Sequence, residues 1–481
     1  MHWLIVGSGI NGLVAANYLA RAGHQVTILE RNAQVGGACS QAWHIEHGQR
    51  HSYAHGATVL GLMQRFIFEE TGLSKHLRLI APSSPEVVHI APTKTTFIGS
   101  ATTASFEQDL ERVSEYLQTG FYQGKAPTLE EAYKQLGSDL TKRWIQGSAR
   151  DLLNHYFQEE EHKLFHAMCV NESGPVLLNE PYSAFSIPLM YSGTIFDGNW
   201  GYVQGGIWQI TRVLKRLNQE LRVTILTKTN ILSIDEQHKK VVYQQKGTNH
   251  IATWDHLLFA TDPLTAARLI QDELLIQRIS KQRLTGTSGK LVLFFRAPVQ
   301  WNDGNPKDAF RQVILTPDLN AFDEATASSR TSDQPFVPGY IEYYPEGNAL
   351  SNHQRRQRDY RLTLYFKHVP FRTLSLTERD QITTQLLKIT AQYVSNMHDI
   401  VATKLLTPID IKEAFFFPEG NIDHIELASG QTFATRTYSP EPNRSFYQFG
   451  EHTNIFYAGS GAYPCGSVTG TPGYMCVRPW I

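Results

Sequence analysis

Three glycines and one acidic residue near the start of the chain have the types and spacing that bind the phosphates and ribose of a dinucleotide. Gly7, Gly9 and Gly12 follow the apolar run Trp3-Leu4-Ile5-Val6, and Glu30 follows a second apolar run. Gly7 allows a tight turn, Gly9 lets the backbone approach a pyrophosphate, and Gly12 lets a helix pack closely. A carboxylate at Glu30 accepts hydrogen bonds from ribose hydroxyl groups and disfavours the additional phosphate of NADP.

The elements that must position these residues form a βαβ unit. The apolar run is a predicted strand, the residues from Leu13 to Ala22 are a predicted helix, and a second strand ends just before Glu30. The free N–H groups at the start of that helix attract negative charge. The other residues of the turn that we assign to the cofactor site are Ser8, Ile10 and Asn11.

A second glycine pair shows which dinucleotide the unit holds. Glu30 and Arg31 are followed by Gly36-Gly37-Ala38. With this pair the sequence resembles the FAD-dependent phytoene desaturase and flavin amine oxidase superfamily. In that superfamily the pair lets backbone amides reach the pyrophosphate from the other side. The resemblance implies FAD as the cofactor and places Arg31, Gly36, Gly37 and Ala38 in its site.

A block in the middle of the chain extends the resemblance. The sequence Trp200-Gly201-Tyr202-Val203-Gln204-Gly205-Gly206 is closest to the branch known as pyridine nucleotide-disulfide oxidoreductase domain 2 proteins. The resemblance implies that a later strand lays the backbone of Ile231 against the adenine. It also implies that Ala260 and Thr261 end a strand under the flavin.

A glycine-rich loop near the C-terminus completes the resemblance. The superfamily uses this loop to cradle the flavin ring and the pyrophosphate. The residues that it assigns to the cofactor are Gly459, Ser460, Val468 and Thr469. Three positions depart from the usual sequence of this loop, because Tyr463 stands in place of histidine, Cys465 in place of the first glycine and Ser467 in place of the third.

The catalytic candidates come from the resemblance, since no acid–base pair can be identified from spacing alone. The side chains that it places beside the isoalloxazine are His55, Tyr463, Cys465 and His424. Tyr463 or His55 could orient a substrate or move a proton. Cys465 could contact the flavin or attach to it covalently. His55 stands where the superfamily has a carboxylate, which puts a group with a near-neutral pKa at that position.

The predicted fold class is α/β, with a Rossmann-like FAD-binding domain of the GR2 type and an inserted α+β substrate-binding domain. The FAD-binding domain is expected to be discontinuous and to comprise residues 1–63, 196–283 and 441–481. The substrate-binding or helical domain is expected over residues 64–195 and 284–440.

Hydrophobic periodicity predicts several elements of the second domain. Alternation of apolar residues predicts strands in four places, which are residues 290–295, 312–315, 340–344 and 360–367. Helical spacing predicts helices over residues 129–153 and 376–396.

Composition narrows the possible functions. The 481 residues carry a net charge of −1, so no basic excess indicates a nucleic-acid partner. The four cysteines are widely spaced, without the paired spacing of a zinc or redox site, and we expect no metal. No apolar run is long enough to span a membrane. We expect a cytoplasmic protein, with peripheral membrane contact possible through residues 62–68 or 360–371.

The expected function is that of an FAD-dependent oxidoreductase, a desaturase or dehydrogenase. It would take a hydride from a C–H bond of a lipophilic or conjugated small molecule. Because only one dinucleotide motif is present, the electrons would pass to oxygen, a quinone or another carrier. A flavin amine oxidase acting on C–N bonds and a non-redox flavin-dependent isomerase are alternatives. A GTPase-binding inhibitor with this fold is a further alternative, which the complete glycine motif disfavours.

Overall fold

The computed structural model describes residues 1–99, 102–331, 335–356 and 360–481, and it mixes parallel and antiparallel sheets with short helices. The α-helices, in chain order, are α1 Ile10–Arg21, α2 Arg65–Glu70, α3 Ala104–Gln123, α4 Leu129–Leu140, α5 Ala149–Tyr156, α6 Glu160–Ala167, α7 Ser186–Tyr191, α8 Gln209–Glu220, α9 Pro263–Ile270, α10 Glu273–Ser280, α11 Leu319–Ser329, α12 Asn352–Arg356, α13 Leu376–Thr390, α14 Pro408–Phe415 and α15 Thr471–Val477. The strands are β1 His2–Val6, β2 Gln25–Leu29, β3 Gln41–Glu46, β4 Gln49–Ala54, β5 Leu79–Ile80, β6 Val87–Ile90, β7 Thr95–Ile98, β8 Tyr202–Val203, β9 Thr224–Leu226, β10 Thr229–Asp235, β11 Lys240–Gln245, β12 Thr248–Thr253, β13 His256–Phe259, β14 Gly289–Phe295, β15 Arg311–Ile314, β16 Tyr340–Pro345, β17 Tyr360–Phe366, β18 Ile400–Leu406, β19 Gln448–Phe449 and β20 His452–Tyr457.

A six-stranded sheet carries the dinucleotide motif. Its strand order is β19-β20-β13-β1-β2-β9, and all neighbours except β19 and β20 are parallel. The side chains of β1 from Trp3 to Val6 are buried, as expected for the centre of a sheet covered on both faces. The strands come from both ends and the middle of the chain. This is the Rossmann-like α/β arrangement that the sequence predicts.

Helix α1 lies against this sheet and against two other helices. Asn17 donates to the Asn218 side chain at 3.0 Å, which ties α1 to α8. Asn218 in turn donates to the carbonyl of Leu13 at 2.9 Å. A Cβ atom on Gly473 would lie 2.1 Å from the carbonyl oxygen of Asn11. Glycine at this position therefore lets α15, from the C-terminal loop, pack directly on the N-terminal turn of α1.

A seven-stranded sheet forms the second layer and is mostly antiparallel. Its order is β18-β14-β17-β16-β15-β6-β7, and only β15 and β6 are parallel. The four strands predicted between residues 290 and 367 are therefore neighbours in one sheet. The exact domain boundaries stay a prediction, although β6 and β7 lie within residues 64–195 and the other five strands within residues 284–440.

Two predicted helices are shorter than the hydrophobic pattern indicates. Residues 129–153 do not form one helix, because Gly137 has a φ of +81° and a π-helical segment follows at Thr141–Gln146. The helix that begins at Leu376 ends at Thr390, and turns occupy the next residues. Periodicity therefore placed these helices but overestimated their lengths.

Most apolar side chains of the two segments suggested for membrane contact are buried. Leu62, Met63, Ile67 and Phe68 are buried in the core, and β17 lies near the centre of the seven-stranded sheet. Among the described residues, we also find no helix whose length and apolar character would let it cross a bilayer.

Candidate functional site

The glycine turn has the geometry that its residue types predict. Gly7 has a φ of +99°, and its N–H donates to the carbonyl of Leu29 at 2.9 Å. A Cβ atom on Gly12 would lie 2.3 Å from the carbonyl oxygen of Gly7. A Cβ atom on Gly9 would meet no protein atom within 4 Å. Gly12 is thus needed for packing, whereas Gly9 faces open space.

That space is a cavity of about 200 Å³ beside the N-terminus of α1. Both chain ends and the middle of the chain contribute to it. The residues assigned to the cofactor that line it are Gly7, Ser8, Gly9, Ile10, Asn11, Glu30, Arg31, Gly36, Gly37, Ala38, Ile231, Ala260, Thr261, Ser460 and Val468. We refer to it below as the first cavity.

Three other assigned residues lie behind the wall of the first cavity. Gly12 packs against Gly7, as described above. A Cβ atom on Gly459 would lie 2.0 Å from the carbonyl oxygen of Thr261, so this glycine permits a close approach of two strand ends. Thr469 accepts a hydrogen bond from the N–H of Thr471 at 3.2 Å, at the start of α15. These residues shape the cavity without lining it.

The Glu30 carboxylate is held in place at one end of the first cavity. Its Oε2 atom accepts from the Ser8 N–H at 2.9 Å and from the Ser8 hydroxyl at 2.6 Å. Its Oε1 atom accepts from the Asn32 N–H at 2.7 Å. The guanidinium of Arg31 lies 3.2 Å from the ring centroid of Phe416, and both residues line the first cavity.

The first cavity fits FAD on the chemistry of its wall. The N-terminus of α1 supplies free N–H groups for a pyrophosphate, and the open space at Gly9 lets phosphate approach the backbone. The buried Oδ1 atom of Asn11, which lines the cavity, accepts no hydrogen bond from a described residue. Glu30 is placed to accept from ribose hydroxyl groups. These groups would hold the pyrophosphate and a ribose of the cofactor.

A second cavity, of about 150 Å³, lies next to the first. The two cavities are adjacent, because both are lined by Ala57, Ile422, Ser467 and Val468, and we call these four residues the shared wall. Nine of the other nineteen lining residues are apolar or aromatic, and these are Val59, Phe165, Met168, Met190, Tyr191, Trp200, Phe310, Tyr344 and Tyr365. The charged residues of the lining are Glu86, Glu172, Glu342 and Lys367.

A row of polar side chains crosses the seven-stranded sheet at this cavity. Lys290 is paired with Tyr365, Tyr365 with Glu342, and Glu342 with Gln312, on four neighbouring strands. We call these four residues the polar row. Sequence reasoning predicted the strands but missed the row. The available signal was a single polar or charged residue inside an otherwise apolar strand, as in Gly289-Lys290-Leu291-Val292-Leu293.

Lys290 is the buried amine of the polar row, and only 2% of this residue is exposed. Its Nζ atom donates to the carbonyl of Ala54 and, at 2.9 Å, to the carbonyl of Gly56. The Thr58 hydroxyl lies 2.9 Å from the same atom. Burial lowers the pKa of Lys290 to about 7. Lys290 therefore anchors the segment that contributes Ala57 to the shared wall.

The two histidines among the catalytic candidates, His424 and His55, differ in position. His424 lines the first cavity, where its Nδ1 atom lies 3.3 Å from the Tyr457 hydroxyl. Burial, helped by Arg436, lowers the pKa of His424 to about 3. His55 lines neither cavity and packs against Phe415, with ring centroids 4.6 Å apart. Burial and two nearby lysines lower the pKa of His55 to about 4. Both rings are therefore neutral at pH 7.

The other two candidates lie away from both cavities. The Tyr463 ring packs against Phe121 of α3 and Phe446, with ring centroids 5.9 and 6.0 Å apart. The Cys465 thiol is fully buried and lies 3.7 Å from the carbonyl oxygen of Gly466. Neither side chain lines the first or the second cavity. Of the four candidates, the structure brings only His424 to the wall of the first or the second cavity.

Cys465 gives a direct prediction about how the flavin is held. Burial raises the pKa of this thiol, so it stays protonated and is a poor nucleophile. We expect acid precipitation of the holoenzyme to give a colourless pellet, with all of the flavin in the supernatant. A pellet that stays yellow in wild type and turns colourless in Cys465→Ser would contradict this expectation.

Comparison with known proteins identifies the family. The family of flavin containing amine oxidoreductases matches residues 10–407, and the chain belongs to it. Pyridine nucleotide-disulfide oxidoreductase domain-containing protein 2 from Rattus norvegicus is 21% identical, over 98% of this chain and 91% of that protein. A 4,4'-diapophytoene desaturase from Staphylococcus haemolyticus is 22% identical, over 96% of this chain and 94% of that protein.

Solved structures share the fold. Cyclohexylamine oxidase from Brevibacterium oxydans has a TM-score of 0.61 and 14% identity, over 99% of this chain and 97% of that one. The predicted superfamily, fold class and cofactor are thus confirmed. The chain is an FAD-dependent oxidoreductase, which excludes the interpretation as a GTPase-binding inhibitor.

Proposed function

We propose that this enzyme takes a hydride from a C–H bond of a small, largely apolar molecule bound in the second cavity. The observation that carries the proposal is the wall shared by the two cavities, which is formed by Ala57, Ile422, Ser467 and Val468. FAD bound in the first cavity supplies a two-electron acceptor. Oxygen, a quinone or another carrier then takes the electrons.

The chain's own residues would orient the substrate and exclude water. Ser467 and Val468 have φ values of +60°, and this backbone turn brings them to both cavities. The Tyr365 hydroxyl donates to the carbonyl of Gly56, which together with Lys290 fixes the segment before Ala57. A rigid wall of this kind holds the reacting C–H bond at a constant distance from the cofactor.

Two alternative flavin-dependent reactions would use the same two cavities. Oxidation of a C–N bond requires the same hydride transfer from the carbon next to nitrogen. A flavin-dependent isomerisation would leave no net reduction. Our first choice is dehydrogenation, because most of the second cavity is apolar and no described histidine lines it.

The test is an anaerobic screen of the oxidised holoenzyme with polyenes, alcohols, fatty acids and amines. We expect one class to bleach the bound flavin completely, and readmission of oxygen or a quinone to restore the colour. Product formation without any bleaching would indicate an isomerase instead. A purified protein that binds no FAD would contradict the proposed function altogether.

A further inference from the structure

His424 lies on a turn beside the shared wall. Ile422, two residues earlier, belongs to that wall, whereas His424 lines the first cavity alone. The φ of His424 is +66°, in the left-handed region that residues other than glycine rarely adopt. Such a conformation persists only where its surroundings hold it, and it is found most often at functional sites. The conformation of His424 must therefore be fixed by its neighbours.

A buried arginine holds this turn. Arg436 is only 1% exposed, and its guanidinium donates to main-chain carbonyls. Its Nη2 atom donates to the carbonyls of Asp423 at 3.3 Å and Ile425 at 3.4 Å, the residues on either side of His424. The same atom donates to the carbonyl of Ser460 at 3.0 Å, and Ser460 itself lines the first cavity. Arg436 thereby fixes the position of His424 relative to the C-terminal loop.

The Tyr457 hydroxyl determines which nitrogen of the His424 ring carries the proton. Tyr457 is 2% exposed, and burial raises its pKa well above the usual value, so the phenol is protonated. Within the described residues, the acceptor that its O–H reaches is Nδ1 of His424, at 3.3 Å. If Nδ1 carried the proton instead, the buried phenolic O–H would have no acceptor, which is costly. Nδ1 therefore accepts, and the neutral ring carries its proton on Nε2.

The Nε2–H group of His424 is left for the first cavity. In the described part of the chain, Nε2 has no hydrogen-bond partner. The ring is held by Tyr457 at Nδ1 and by Phe417, whose ring centroid lies 4.6 Å away and which also lines the cavity. A neutral imidazole with an occupied Nδ1 and a protonated Nε2 has no free lone pair. His424 can therefore donate a hydrogen bond into the cavity, but it cannot take a proton there.

We propose that His424 donates its Nε2–H to an acceptor atom of the isoalloxazine ring of FAD, with Arg436 and Tyr457 as positioning residues for this bond. The inference rests on the proposed function, which places the hydride-accepting part of FAD at the shared wall. Reduction adds negative charge to the acceptor atoms of this ring, so a fixed N–H donor stabilises the reduced ring more than the oxidised one. His424 would therefore raise the reduction potential of the bound flavin.

The experiment compares two variants of the holoenzyme that differ in the N–H donor. Glutamine and methionine are both unbranched and similar in size, so they meet the same backbone strain at this position, and only glutamine carries an N–H. The flavin potential is measured anaerobically against a reference dye. We expect His424→Met to shift the two-electron equilibrium about tenfold toward the oxidised form, which is about 30 mV. His424→Gln is expected to retain most of the wild-type potential.

A surface variant and the FAD content complete the test. His398→Met, at an exposed position, is the control and should keep the wild-type potential. Equal potentials in the two His424 variants, or the wild-type potential in His424→Met, would overturn the inference. Loss of FAD from both variants would also overturn it, because the shape of the ring and not its N–H would then be required. Loss of FAD from His424→Met alone would support it.

The inference and the proposed function can fail separately. A wild-type protein that contains no FAD contradicts the proposed function. A holoenzyme that some substrate bleaches, and whose His424→Met variant keeps the wild-type potential, contradicts the inference alone.

Discussion

Replacing Gly9 by alanine is expected to lower the affinity for FAD about 100-fold, which corresponds to about 2.7 kcal/mol. The substitution is free of strain, because Gly9 has a φ of −63° and a ψ of 176°, which alanine readily adopts. It is also free of steric conflict within the protein, since the added Cβ would meet no atom within 4 Å. The methyl group would instead occupy the space where the pyrophosphate approaches the backbone.

Two further glycine variants make this test specific. Gly12→Ala should destabilise the fold itself, because its Cβ would lie 2.3 Å from a backbone oxygen. Gly120→Ala, within α3, meets only one atom at 3.9 Å, and it should leave FAD binding unchanged while it stabilises the helix by about 0.5–1 kcal/mol. Fluorescence titration of the flavin-free proteins gives the affinity, and thermal unfolding gives the stability. A Gly9→Ala protein that binds FAD like wild type would show that the cofactor does not approach this turn.

The parts of the cofactor site that sequence predicts well are those whose geometry is local. The turn at Gly7, the helix after it and the strand before Glu30 each follow from residues close in the chain. Local steric rules fix such a turn wherever it occurs. The resemblance to a known superfamily supplied the remote pieces, which are Ile231 and the C-terminal loop. Their meeting at one cavity could not follow from their own sequences.

The substrate side of the site depends on strand register, which the sequence does not show. Lys290, Glu342 and Gln312 are far apart in the chain and become neighbours only through the pairing of four strands. A shift of one residue in any pair would move a side chain to the opposite face. In the sequence alone, each of these three residues is an isolated polar residue within a predicted strand.

The candidate Tyr463 shows the same limit for side-chain direction. Its position in the C-terminal loop could be aligned with the superfamily, but the direction of its ring depends on packing against Phe121 in α3. Helix α3 lies within residues 64–195, where the sequence contains few recognisable motifs. The alignment therefore places the backbone near the flavin and leaves the ring undetermined.

Lys290 gives the second large expected effect, which is a change of stability with pH. Its pKa is about 7 in the folded protein, whereas a lysine in an unfolded chain has a pKa of about 10.4. Between these two values the unfolded chain binds more protons than the folded one. The free energy of unfolding must therefore rise with pH in this window, by at most about 1.4 kcal/mol per pH unit for one group.

Replacing Lys290 by methionine removes this contribution. From pH 7 to pH 9, we expect the unfolding free energy of wild type to increase by about 2 kcal/mol relative to Lys290→Met. Urea unfolding with the same excess of FAD measures both proteins. The charged groups that act on Lys290 are Glu346 and Arg361, and both are present in each protein, as is the nearby Tyr365.

A surface variant separates this effect from a general loss of positive charge. Lys281→Met removes an exposed lysine, and its difference from wild type should not change with pH over this range. Parallel pH curves for wild type and Lys290→Met would mean that Lys290 is fully charged when folded. A neutral Lys290 can donate to the carbonyls of Ala54 and Gly56 and accept from the Thr58 hydroxyl. The segment before Ala57 would then be held by a neutral amine rather than by a buried charge.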